Sequence, residues 1–345
     1  MNRIKILDCT LRDGGFALED ADKNGAETKT FQRGDRDKIA NYIVESNVEI
    51  VELGAIEVSD CDKKGFAIYQ NMEEISSIIP HKRRNNQLFA GFYRGPDIDT
   101  SSIPSWDESK LDITRICLRY SELKKSLEFS KDLSKKGYKV FLQPMVTVRY
   151  SDAELQMVLN AANEMDAYAV YFVDSYGYMT PEDVIKYFTW FNETLKPSIH
   201  IGFHAHNNME MALLNVITLL NIDTDRKIII DSCATGMGQG TGNLQSEVIL
   251  NYMNANYNCN YNVDKMYQAC EIVDEFNINR LWGYSIPRYI AANNKTAYKY
   301  AIELQDKYQM SYSEIDQILS NIPDDLRFRY TVENTKELLR RLGKL

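Results

Sequence analysis

Two short runs hold most of the residues whose types and spacing could do chemistry. Asp8-Cys9-Thr10-Leu11-Arg12-Asp13 lies near the N-terminus, and His204-Ala205-His206-Asn207-Asn208 lies far downstream. The chain has only four histidines, and two of them sit here two residues apart. Residues i and i+2 of a strand share a face, so His204 and His206 can present two imidazoles together. With the Asp13 carboxylate from a second strand end they make a divalent-metal ligand set. Imidazole and carboxylate suit Mn, Fe, Co or Zn, and carboxylate with water also suits Mg. An HxH pair alone is as readily two core or surface histidines; a carboxylate at the same rim favours the metal. Arg12, beside that carboxylate, could stabilise a developing oxyanion or pair with a buried acid. His200, lower on the same run, reads as structural. His81, beside Lys82, Arg83 and Arg84, reads as solvent-facing.

These groups need a scaffold that brings distant strand ends to one rim. Eight apolar, β-branched-rich segments recur, at residues 5–11, 50–56, 88–93, 113–118, 139–146, 167–173, 198–204 and 227–232. Near-continuous apolar runs mark strands of a parallel sheet covered on both faces. Helical patterns separate most of them. One covers residues 36–47 with Asp35 as N-cap, and one covers 121–136 with Leu123, Leu127 and Leu133 on one face. Another starts at a Ser151/Glu154 capping box, the next at Thr180-Pro181, and 209–220 follows the histidines. The alternation predicts an α/β fold, a (β/α)8 TIM barrel over residues 1–255, with a doubly wound open sheet as the alternative. No strand series follows. Residues 263–276, 296–308, 313–319 and 331–342 read as helices, so 256–345 is expected to be a helical C-terminal extension packed on the barrel.

Such barrels carry their chemistry at the C-terminal ends of the strands. Strand 1 then delivers Arg12 and Asp13, strand 2 Glu52 or Glu57, strand 4 Arg119, and strand 6 Asp174. Strand 7 delivers His204 and His206. Strand 8 runs into Cys233 and the glycine-rich stretch 236–243. That stretch lacks GxxxxGK[ST] and does not open the first βα unit, which argues against nucleotide binding. It reads as a tight turn over the barrel mouth or an anion cradle, with Asn243 as a polar contact near the metal.

Composition narrows the class. A formal net charge of −9 argues against a nucleic-acid or anionic-membrane surface, while leaving room for a local basic pocket. Six scattered cysteines without a CxxC read as reduced, buried thiols of a reducing compartment. No apolar leader follows Met1, and no segment nears the roughly 18 apolar residues that span a bilayer. A soluble, cytoplasmic protein is expected. The aromatic run at 281–284 reads as a subunit interface of a homo-oligomer, a lid, or a packing surface.

Together these motifs resemble the DRE-TIM metallolyase superfamily of hydroxymethylglutaryl-CoA lyase-like enzymes. Asp8-Cys9-Thr10-Leu11-Arg12-Asp13-Gly14 resembles its strand-1 motif and His204-Ala205-His206-Asn207-Asn208 its strand-7 motif. Gly238-Gln239-Gly240-Thr241-Gly242-Asn243 is similar to its strand-8 loop, and Asp174-Ser175-Tyr176-Gly177 with Pro181 to its strand-6 segment. The matches run in order over about residues 1 to 255. The resemblance implies aldol or Claisen chemistry through a metal-stabilised enolate, on a small oxo acid or an acyl thioester. It implies Mn2+ or Mg2+, or Zn2+, on Asp13, His204 and His206, with Arg12 supporting the enolate. The opening through Phe16 is most similar to the 4-hydroxy-2-oxovalerate aldolase-like branch. That branch has a histidine base three residues after the metal-binding aspartate; Phe16 stands there in this chain. Gly14-Gly15 could let a substrate approach but cannot move a proton. A base is then expected from Glu57 or a tyrosine such as Tyr93, Tyr120 or Tyr176, with Arg119 and Asn243 as substrate contacts. The expected activity is a metal-dependent carbon–carbon lyase or aldolase. The alternatives are an acyl-CoA-dependent Claisen-type synthase and a non-catalytic metal- or ligand-binding protein that lost its base.

Overall fold

The computed structural model describes residues 3–81 and 86–344, so Lys82, Arg83 and Arg84 lie outside the described residues. Eight parallel strands form the barrel: β1 (Ile4–Asp8), β2 (Ile50–Ile56), β3 (Leu88–Tyr93), β4 (Ile113–Leu118), β5 (Lys139–Pro144), β6 (Ala169–Asp174), β7 (His200–Ala205) and β8 (Ile228–Ser232). Each pairs with the next, and β1 closes the ring by pairing with both β8 and β2. A two-residue strand, Ile68–Tyr69, adds to β2.

Around the barrel run α1 (Thr10–Lys23), α2 (Arg33–Glu45), α3 (Met72–Ser76), α4 (Leu123–Lys135), α5 (Asp152–Glu164), α6 (Pro181–Thr194), α7 (Ala212–Leu220), α8 (Ser246–Tyr257) and α9 (Val263–Asp274). The strands are buried on both faces, as their apolar runs require. Leu7, Ile50, Ala90, Ile113, Phe141, Ala169 and Ile229 form one apolar cluster drawn from seven of the strands, while a larger core joins strands to helices. The capping signals act as the sequence suggests: Ser151 and Glu154 close a box at α5, and Thr180 caps α6 ahead of Pro181. At α2 the cap is Gln32, and Asp35 is the third helical residue reaching back to it, not the cap itself.

The first segment differs from expectation. β1 ends at Asp8, and Thr10 starts α1, so Arg12 and Asp13 ride on the first helical turn rather than on the strand. Gly14 and Gly15 disguise this helix because glycine is a poor helix former. Their role is close packing rather than substrate approach. A Cβ on Gly15 would lie 1.8 Å from the Phe66 carbonyl oxygen, and one on Gly14 would lie 2.3 Å from Met237 Sδ.

The extension contains α10 (Ile286–Asn293), α11 (Tyr298–Asp306), α12 (Tyr312–Ser320), α13 (Asp324–Arg327) and α14 (Val332–Arg341). Met266, Val273, Phe276 and Trp282 belong to the barrel core. Ile290, Leu304, Ile315, Leu319 and Leu338 build a separate one. We propose that the division between the two units lies between these cores, later than residue 255. Among the described residues, no helix is long and apolar enough to cross a membrane.

His200 is held away from the rim. Its ring stacks on Tyr168 with centroids 4.4 Å apart, and Nδ1 lies 3.1 Å from the Tyr168 carbonyl oxygen. Burial lowers its pKa from 6.5 to about 4. The unfolded chain therefore takes up this proton first. The stability tied to the neutral ring is complete above pH 6.5 and is lost as pH falls toward 4. In His200→Gln, the fall in urea midpoint across that window should be shallower than in the unmodified chain. Gly15→Ala should cost about 1–3 kcal/mol in the same denaturation measurement, through overpacking at Phe66.

Candidate active site

Charged side chains at the centre of the barrel close into a ring. Arg12 Nε donates to Glu52 Oε2 at 2.8 Å, and Arg12 Nη1 pairs with Asp13. Arg115, in the middle of β4, donates to the same Glu52 oxygen at 2.7 Å and pairs through Nη2 with Asp231 of β8. Asp231 Oδ2 lies 2.9 Å from His204 Nδ1, and the Tyr171 hydroxyl donates to its other oxygen at 3.0 Å. His204 Nε2 lies 3.4 Å from Asp13 Oδ2, which completes the circuit. All six members are buried.

Burial drives the His204 pKa well below its usual value, so the imidazole is neutral. Burial also opposes ionisation of Asp13, but the charge of Arg12 and the fields of His204 and His206 outweigh it and hold the carboxyl below its ordinary range. The ring then holds three carboxylates against two guanidiniums. Nδ1 is the ring nitrogen closer to a carboxylate, 2.9 Å from Asp231 against 3.4 Å from Nε2 to Asp13, so we assign the ring proton to Nδ1, which leaves Nε2 bare toward the Asp13 carboxylate. Two acceptors meet with no proton between them, an arrangement a cation relieves.

Two more groups stand beside that point, although the ligand atoms that lie within 4.8 Å of one another among the described residues are those of Cys9, Asp13 and His204. The His206 ring lies 5.1 Å from that of His204, centroid to centroid. Asn243 bridges to His206 in antiparallel fashion and donates from Nδ2 to Asp13 Oδ2 at 3.1 Å. Its Oδ1 is buried with no partner, an orphaned acceptor of the kind a metal ligand presents before the ion is counted. Imidazole, carboxylate and amide oxygen suit Mn, Mg or Zn, so these residues fit a divalent ion. Cys9, the N-cap residue of α1, also comes near: ligand atoms of Cys9, Asp13 and His204 lie within 4.8 Å of one another. Burial lifts the Cys9 pKa well above its usual value. Its Sγ lies 3.4 Å from Cys233 Sγ.

The glycine-rich stretch folds on itself instead of cradling an anion. The amides of Gly236, Met237, Gly242 and Asn243 all donate to nearby carbonyls, and that of Thr241 donates to Asn208 Oδ1. Gly242 has φ +93°, and a Cβ there would lie 2.0 Å from the Gly236 oxygen. This turn delivers Asn243. Asp174 performs a similar local task, accepting from the Tyr178 and Met179 amides at 3.0 Å each, with its pKa raised to about 7 by burial.

Above the site opens a cleft of about 810 Å3. Arg12, Asp13, His204 and His206 line it, as do Arg119 and Tyr176. The last two are committed elsewhere. The Tyr176 hydroxyl donates to the Phe328 carbonyl oxygen at 2.9 Å, and burial raises its pKa to about 12. Arg119 pairs with Asp97 and Glu122 and donates to the Arg94 oxygen. Glu57 lies outside the cleft lining and is held by Lys63 and Arg94. Tyr93 packs against Phe129 of α4, away from the barrel axis. Phe16 meets Phe92 edge-on, ring centres 5.8 Å apart, under the Arg94 guanidinium 3.9 Å away. It supplies an apolar wall where the resemblance leads one to expect a base. Sequence reasoning missed Arg115, Asp231 and Tyr171. A charge inside the apolar runs Ile113–Leu118 and Ile228–Ser232 was the available signal. It also missed that the extension lines the cleft, through Ala297, Tyr298, Lys299, Phe328, Arg329 and Tyr330.

Comparison with known proteins identifies the family. A family model described as HMGL-like matches residues 3–273. An oxaloacetate decarboxylase from Mycobacterium tuberculosis is 25% identical over 253 residues, 71% of this chain and 68% of that protein. A 4-hydroxy-2-oxovalerate aldolase from Geobacillus genomosp. 3 is 27% identical over 252 residues, 72% of this chain and 69% of that protein. Among solved structures, the N-terminal domain of a Bacteroides vulgatus protein described as an aldolase superposes with a TM-score of 0.72. The two share 22% identity over 91% of this chain and 99% of that one, a likeness of fold. The chain belongs to the HMGL-like family of TIM-barrel carbon–carbon lyases.

Proposed function

We propose that this chain cleaves or forms a carbon–carbon bond in a small 2-oxo acid through an enolate, with a divalent ion, Mn2+ or Mg2+ foremost, held by Asp13, His204, His206 and the Asn243 amide oxygen. The observation that carries this reading is the meeting of the Asp13 carboxylate and the His204 ring at the cleft floor, beside His206, with the Asn243 amide oxygen buried and orphaned next to Asp13. The bound ion would polarise a substrate carbonyl and spread enolate charge. The protein's own groups do the rest. With the ring proton assigned to Nδ1, on the Asp231 carboxylate 2.9 Å away, Nε2 of His204 is free to bind. Glu52 and Asp13 occupy Arg12 Nε and Nη1, and Nη2 is the donor left for a substrate oxygen. The Phe92 ring, 4.6 Å from the Arg12 guanidinium, keeps water off its face.

Phe16 favours a second version of the same chemistry. Retro-aldol cleavage needs a base to take the hydroxyl proton, and a phenyl ring cannot act as one. Decarboxylation of a 2-oxo acid with a 3-carboxylate needs none. The bond to the carboxyl carbon breaks, CO2 leaves, the electron pair stays as the enolate, and water supplies the final proton. The relative from Mycobacterium tuberculosis is named an oxaloacetate decarboxylase.

Elemental analysis of purified protein should find stoichiometric metal, lost in Asp13→Asn and His204→Ala and kept in His200→Ala. Metal retained in both ligand variants would remove the proposed centre. In D2O, the methyl protons of pyruvate should exchange only with enzyme and Mn2+ present, as read by proton NMR, and Arg12→Met should slow this at least tenfold. No exchange and no CO2 release across a panel of 2-oxo acids would overturn the enolate reading.

A further inference from the structure

The chain is acidic overall, yet its cleft is not. Seven Arg and Lys side chains line it against four Asp and Glu, in a protein of net charge −9. Most of these cations already have acid partners. Arg12 serves Asp13 and Glu52, Arg94 serves Glu19 and Glu57, and Arg119 serves Asp97 and Glu122. Lys23 is paired with Glu19 and Lys299 with Asp20. Two remain. Neither Arg149 nor Arg329 has a carboxylate partner among the described residues.

Both are mounted on fixed backbone. Arg149 ends the short turn Thr147–Arg149 after β5, and its guanidinium lies 4.3 Å from the Tyr120 ring centre. Tyr120 in turn packs edge-on against Tyr150, whose hydroxyl is bonded to the Leu118 carbonyl oxygen. The Arg329 carbonyl oxygen accepts from the Tyr300 hydroxyl at 2.8 Å and from Asn334 Nδ2 at 2.7 Å, while its side chain stays exposed on the cleft wall. The preceding carbonyl, that of Phe328, is bonded by Tyr176. Arg149, Tyr176 and Arg329 thus line one cleft, the first two from the barrel and the third from the extension. A guanidinium that lines a cleft without an acid partner is an available donor for a ligand anion.

We propose that Arg149 and Arg329 form a distal anion subsite, so that the substrate is a 2-oxo acid carrying a second anionic group, a carboxylate or a phosphate. The metal-side groups take the oxo-acid end, and the arginine pair takes the far end. The subsite rests on the reading of the cleft floor as the place where the oxo acid binds. It also gives the C-terminal extension a role in choosing the substrate, since Arg329 belongs to that unit.

The test uses the full chain loaded with Mn2+ and calorimetric titration with pyruvate, 2-oxoglutarate and 3-phosphonooxypyruvate. At least one dianionic probe should bind tenfold or more tightly than pyruvate. Which one does so separates a carboxylate from a phosphate tail. In Arg149→Met and Arg329→Met that ratio should fall at least fivefold, and Arg329→Lys should restore part of it. A ratio near one in the unmodified chain, or a ratio preserved in both methionine variants, would overturn the subsite. Glutarate, which has no oxo group, separates the two claims. If it binds in an arginine-dependent way while pyruvate shows no proton exchange, the subsite stands and the lyase reading falls. If exchange occurs but the dianion ratio is one, the subsite falls and the lyase reading stands.

Discussion

The structure depends on the buried ion-pair ring that runs from Asp13 through Arg12, Glu52, Arg115 and Asp231 to His204. Ionised groups inside a barrel are expensive unless each has a partner in direct contact. Here every charge touches the next, and the circuit joins α1, β2, β4, β8 and β7. Deleting one member would strand its neighbours, a cost of about 3–5 kcal/mol for a broken buried pair. The same dependence fixes geometry. Arg115 sets the Glu52 and Asp231 carboxylates, and through them sets Arg12 and the orientation of His204. The groups that line the cleft are thus positioned by groups that do not.

Arg12 and Asp13 owe their placement to the abrupt change from β1 to α1 at Cys9. Had the strand continued, adjacent residues would point to opposite faces. On the first helical turn both reach the barrel axis, and the two glycines that follow let this helix sit against Met237 and Phe66. The turn at 236–243 mirrors it from the other end of the chain, bringing Asn243 onto Asp13.

In the proposed reading, chemistry and selection are divided between two units. The barrel supplies the proposed metal ligands and Arg12. The extension closes one side of the cleft and is tied to the barrel by Tyr176 on the Phe328 carbonyl and by Lys299 on Asp20 of α1. A barrel rim tied into the ion-pair ring, faced by a helical wall with its own core, lets the wall change without disturbing that ring.

Much of the fold was legible in the residues alone, because strand and helix periods, capping boxes and proline at a helix start are local physics. Eight apolar runs announced eight strands, and Ser151 with Glu154 announced α5. The pairing of the first and seventh strand ends was legible too, because imidazoles and a carboxylate are scarce and chemically distinctive. Other features were decided only by tertiary packing. A helix containing Gly14-Gly15 looks like a loop until Phe66 and Met237 are brought against it. Arg115 and Asp231 look like interruptions of apolar strands until the barrel closes and makes them partners. The sequence also could not say that Tyr176 and Glu57 would be occupied, or that Arg149 and Arg329 would be left open. Which charges are spent and which are free depends on distances between residues far apart in the chain, and those distances exist only in the folded molecule.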